Sequence, residues 1–162
     1  MKNMTTFIKW FLFNAVFLTT VILAETQGAI STMIKNDVSH LTIVIMVLYV
    51  IVSALVGKLC YLADKTSDNI GGKDDRVKLL KRSDIGWFAA EHFFSLGLLG
   101  TVFGLCLATG TSFEGESSVS EIVSGLKVGL HTAFYTTICG IVFSLPLQVQ
   151  LMILKFKLED ED

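Results

Sequence analysis

Four long apolar runs divide the chain, at residues 7–24, 41–63, 93–110 and 128–154, and the stretches between them are short and polar. A helix needs about 20 mostly apolar residues to cross a bilayer, so each run qualifies or comes close. The pattern predicts an all-α, polytopic membrane protein with four transmembrane helices. Residues 1–63 form a first helix pair, 64–92 a linker, 93–154 a second helix pair, and 155–162 an acidic tail. The first run has a rival reading as a cleaved signal peptide, because Lys2 and Lys9 precede or open it. Cleavage after Ala24 would place Ile22 where a small residue is wanted, which favours a retained helix.

The first polar stretch, "ETQGAISTMIKNDVSH", is too short to fold alone. The linker opens with "DKTSDNIGGKDD", a turn region around Gly71 and Gly72. It continues as "RVKLLKRSDIGWFAAEHFF", where Val77, Leu80, Ile85, Phe88 and Ala89 fall near one face at helical spacing. That spacing predicts an amphipathic helix running into the third span; a helix lying flat on the membrane is the alternative.

Composition agrees with a membrane protein: 52% of the 162 residues are hydrophobic and 17% are charged. The net charge of −2 singles out no partner, and without a basic patch interleaved with aromatics nucleic acid is not expected. The basic residues do fix an orientation. With the N-terminus inside, Lys2, Lys9, Lys58, Lys65, Lys73, Arg76, Lys78, Lys81, Arg82, Lys155 and Lys157 are cytoplasmic. Lys35 and Lys127 are then outside, beside the acidic loop "TSFEGESSVSE". Both termini are thus expected inside. Cys60, Cys106 and Cys139 all lie in apolar runs and read as small packing residues.

Two stripes of small residues interrupt the second pair. Gly100, Gly104 and Ala108 recur every four residues on the third span, bordered by Gly97 and Thr101. Gly125, Gly129, Ala133, Thr136 or Thr137, Gly140 and Ser144 form a longer stripe on the fourth. Glycine weakens a helix by roughly 1 kcal/mol relative to alanine. In lipid, small residues repay this by letting another helix approach closely. Neither of these two spans contains Asp or Glu, so the polar candidates are Thr101, Thr132, Thr136, Thr137 and His131. Their hydroxyls could serve an ion path or bond back to their own helix carbonyls, and His131 could carry protons or sit at the interface near Lys127. No metal-ligand spacing and no nucleophile–base pair is present, so an enzyme is not expected.

At these residues the sequence resembles the MotA/TolQ/ExbB proton channel family. "GLLGTVFGL" is similar to that family's G-L-x-G-T-V-x-G signature, and Thr137–Gly140 followed by Pro146 fits its T-x-x-G-x5-P pattern. The similarity covers about Asp84 to Gln150. The resemblance implies a bacterial inner-membrane subunit of a pentameric ring around a dimer of a single-span, ExbD/TolR/MotB-like partner with an intramembrane Asp. Protons, or sodium ions, would pass between ring and partner, and their flow would drive mechanical work. It implies that Thr101 and Thr137 line the ion path and that the small residues make room for the inner helix pair; Thr132 and Thr136, one turn apart beside Thr137, are expected to join that path. Pro146 would mark a helix bend. Two departures stand out. Thr132 occupies the place of a glutamate in the family's transport branch, and the linker is too short for the large cytoplasmic domain of the flagellar stator branch. A tetraspan scaffold or holin-like protein is the competing reading; it explains the small-residue stripes but not threonines at the family spacing.

Overall fold

The computed structural model describes residues 5–67, 73–110 and 118–159. The turn expected around Gly71 and Gly72, most of the acidic outer loop, Lys2 and the last residues of the tail lie outside these. All the structure among the described residues is helical: α1 Thr5–Thr26, α2 Ala29–Asn36, α3 Leu41–Ser67, α4 Lys73–Gly110 and α5 Val119–Glu159. α1, α3, α4 and α5 are long and apolar enough to cross a membrane.

The first polar stretch is more ordered than its length suggests. Gly28 breaks the chain after α1 with φ 71°, a left-handed conformation that costs glycine little, and α2 follows. Asp37 then starts α3: its carboxylate accepts from the backbone N–H of Ser39 at 2.9 Å and of Thr42 at 2.8 Å. An anionic acceptor there satisfies N–H groups that the first helical turn leaves unpaired.

α4 and α5 form the long antiparallel pair around which the rest is arranged. At 1.5 Å per residue, their 38 and 41 residues span about 57 and 62 Å, nearly twice the hydrocarbon core of a bilayer. α4 has no break between its charged start and its apolar end. Its buried face is not the one the linker's apolar spacing suggests. Val77, Ile85 and Phe88 are exposed, whereas Leu79, Ser83, Gly86, Ala90 and Phe93 are buried. The smaller set wins because α5 lies close against it; a Cβ on Gly86 would sit 2.6 Å from the Leu151 side chain.

α3 packs against both long helices, and its Ile45, Tyr49, Val56 and Cys60 join Phe93, Cys139, Phe143, Leu147 and Leu151 in the core. Cys106, by contrast with the other two cysteines, is exposed rather than packed. α1 lies outermost, and Thr6 is its one buried residue. Two polar attachments hold it. The Asp64 carboxylate at the end of α3 accepts from the N–H groups of Thr6 at 3.1 Å and Phe7 at 2.9 Å. Further along, Trp10 donates its indole N–H to Gln150 Oε1 at 3.0 Å, and Ser53 donates to the same oxygen at 2.9 Å. The Gln150 amide donates to the Tyr49 hydroxyl at 3.0 Å, so one side chain of α5 binds α1 and α3 together.

Candidate functional site

The seam between α4 and α5 is made by missing side chains. A Cβ on Gly104 would stand 2.5 Å from the Gly129 carbonyl oxygen and 2.6 Å from the Ala133 nitrogen. One on Gly140 would stand 2.7 Å from the Phe93 carbonyl, and one on Gly97 3.0 Å from that of Thr136. On Gly100 it would run into the Thr136 side chain, and on Gly129 into Gly104 and Ala108. The stripes on the two helices therefore face each other within one subunit. The space that the resemblance assigns to an inner helix pair is taken up by α5 itself. Gly125, at the N-terminal end of the same stripe, is partly exposed.

The four threonines divide into two kinds. Thr132 and Thr136 are fully enclosed. The Thr132 hydroxyl donates to the Asn36 carbonyl at 3.2 Å and accepts from the Val38 N–H at 3.3 Å, fastening α5 to the turn between α2 and α3. Thr136 lies under Gly100 and donates to the Thr132 carbonyl one turn back, at 2.8 Å. Neither hydroxyl faces the outside of the subunit, which corrects the expectation that both stand beside an ion path. Sequence spacing could not separate Thr136 from Thr137, because only the position of α4 decides which of two adjacent residues points into the seam.

Thr101 and Thr137 are the other kind. Both are partly exposed, and their hydroxyls meet across the seam. Thr137 Oγ1 is 2.9 Å from its own-helix carbonyl at Ala133 and 3.3 Å from the Gly97 carbonyl of α4. Thr101 Oγ1 is 3.2 Å from Gly97 O and 3.4 Å from Ala133 O. Two hydroxyl protons thus serve a cluster of four oxygens drawn from both helices. Donation to the carbonyls leaves hydroxyl lone pairs available as acceptors. Such a pair, at the edge of a tight helix seam, can accept a hydrogen bond from a passing water or a protonated acid.

Toward the basic end, Ser144 donates to the Ala90 carbonyl at 2.7 Å, and the Gln148 amide donates to Ser144 at 3.1 Å. α5 continues through Pro146, which has no N–H to offer the Val142 carbonyl. The Ala90–Ser144 contact sets the register of the pair. Glu91, assigned to the linker from its position before residue 93, stands level with Ser144, ten residues inside the end of the fourth apolar run. His131, by contrast, contributes a ring contact with Tyr135 on its own helix.

Sequence reasoning missed the Trp10–Gln150–Ser53 group and the Asp64 attachment. The lone polar residues in apolar runs were a visible signal, since lipid exposes such groups at a penalty and they seek one another. Which of them pair is settled by helix placement alone. Among the described residues no group of His, Cys, Asp or Glu could hold a metal ion. In comparisons with known proteins, residues 83–162 match the model of the MotA/TolQ/ExbB proton channel family. No curated protein and no solved structure matches the chain.

Proposed function

Because residues 83–162 belong to the MotA/TolQ/ExbB proton channel family, whose members are channels and not enzymes, we propose that this chain is the ring-forming subunit of a proton-driven complex in a bacterial inner membrane. Both termini are cytoplasmic, five copies surround a dimer of a single-span protein, and an intramembrane aspartate of that partner carries the proton. Flow of protons, or of sodium ions, is coupled to movement of the partner against the ring. The observation that carries this reading is the Thr101–Thr137 hydroxyl pair at the partly exposed edge of the family-matched helix pair. There a hydroxyl can hydrate a carboxylate in surroundings of low dielectric, where an unsatisfied polar group costs about 1–3 kcal/mol. Thr132 and Thr136 have no place on the path; they hold the subunit together. Pro146, in the inner half of α5, is the position at which a bend would separate the cytoplasmic extension from the span.

The test is proton flux, followed with a pH dye, in liposomes holding the complex co-purified with its partner. Thr137→Val removes a hydroxyl while nearly preserving shape, and Thr101→Val does the same across the seam. Flux is expected to fall about tenfold with Thr137→Val, corresponding to roughly 1.4 kcal/mol, and less with Thr101→Val. Serine at position 137 should restore part of it, with the mass of the assembly unchanged throughout. Parental flux in both valine variants would leave the threonines with no role beyond bonding their own helices.

A further inference from the structure

Glu91 is a carboxylate in an unexpected place. It lines a cavity of about 390 Å³ between α4 and α5 together with Phe94, Ile141, Ser144, Leu145 and Gln148. Glu91 is the one titratable side chain among these six. Its carboxylate is exposed, and no described residue offers it a hydrogen bond or an ion pair; the neighbouring His92 is instead stacked on Phe88, with ring centroids 3.8 Å apart. Lys58 and Arg82 line a different cavity, between α3 and α4, and mark the level at which basic residues end. Glu91 stands nine residues beyond Arg82 on α4, about 14 Å further along the helix at 1.5 Å per residue. Another ten residues, about 15 Å along the axis, separate it from Thr101, which lies roughly 80° around the helix from Glu91. On α5, Gln148, Ser144, Ile141 and Thr137 follow one another on a single face, so cavity and threonine pair open onto the same groove.

Glu91 falls within the stretch Arg76–Gly110 that is long and apolar enough to cross a membrane, and a charged side chain inside a span is expensive unless water or a partner reaches it. We propose, on the basis of the channel reading above, that Glu91 is a proton-relay residue at the inner end of this groove, between the cytoplasm and the Thr101–Thr137 pair. The carboxylate takes a proton from a hydronium ion or water chain at one side of the cavity, becomes the neutral acid, and returns to carboxylate as it releases that proton to water at the other side. Ser144 and Gln148 supply polar wall at the level of the acid, beside the apolar side chains of Phe94, Ile141 and Leu145.

Two readouts test this. In liposomes, the purified chain is treated with dicyclohexylcarbodiimide, an apolar reagent that couples to protonated carboxyl groups, and the adduct is located by peptide mass spectrometry. An adduct on Glu91 in preference to Glu25, Glu121 and Glu159, absent from Glu91→Gln, is expected. In the co-purified complex, Glu91→Gln is expected to lower proton flux about tenfold or more, with partial recovery for Glu91→Asp and an unchanged assembly mass. An unlabelled Glu91, or parental flux in Glu91→Gln, overturns the relay. A complex that labels at Glu91 but conducts no protons even as the parent overturns the channel reading itself, and the relay with it.

Discussion

Gly104 shows at the scale of one residue what the seam demands. Any side chain there meets backbone, the Gly129 carbonyl and the Ala133 nitrogen, and backbone cannot swing aside as a flexible side chain can. Gly104→Leu should therefore force α4 and α5 apart at an overpacking cost of several kcal/mol, at or above the roughly 1–3 kcal/mol usual for an overfilled core. Gly110, where a Cβ would meet nothing within 4 Å, should accept alanine within about 0.5 kcal/mol. Thermal unfolding of the two detergent-purified variants checks the contrast. Equal stability would mean that the seam is not as tight as its geometry. The spacing of Gly97, Gly100 and Gly104 announced a close helix contact in the sequence alone. It could not say whether the approaching helix belonged to a partner or to the same chain, since either satisfies a four-residue repeat. The inward turn of Thr132 and Thr136 was hidden for a related reason: helical periodicity gives relative faces, and only the docked neighbour says which face is inside.

At the scale of elements, the apolar runs located α1, α3, α4 and α5 because lipid requires length and apolarity above all else. α2 and the true buried face of α4 were less legible. α2 has only eight residues, and the α4 face was misread because the inner half of that helix buries small side chains and leaves larger ones outside. Exposed Val77, Ile85 and Phe88 are then surface for a neighbouring subunit or lipid rather than core. α1 makes few buried contacts, so its polar attachments count for more. Asp64→Ala removes the acceptor for the N–H groups of Thr6 and Phe7, a cap whose loss typically costs about 1 kcal/mol. Hydrogen exchange at the start of α1 should accelerate about fivefold, with the middle of α5 unchanged. Equal protection in parent and variant would show that α1 is held by its Trp10 end alone.

The whole molecule is built unevenly: one long helix pair, sealed by glycines, with α3 behind it and α1 at the margin. Such a subunit presents the Thr101–Thr137 edge and Glu91 outward, polar groups that a lone chain would have to expose to lipid. Assembly into the proposed closed ring would remove that penalty by turning the edge toward a shared lumen. Native mass spectrometry is expected to show five copies, and a population of monomers or dimers alone would contradict the ring. From Glu91 past Thr101, about 15 Å along α4, to Gly110, and along α5 from Ser144 back to Gly125, the pair carries hydroxyls but no second carboxylate; the next is Glu121 at the start of α5. Protons should therefore cross only when a partner brings an acid of its own. The most direct measurement is proton flux into liposomes containing either the purified chain or the complex co-purified with the proposed single-span partner, at equal protein density. The account predicts flux from the complex and background leak from the chain alone. A silent complex, or a chain that conducts as well without the partner as with it, would contradict it.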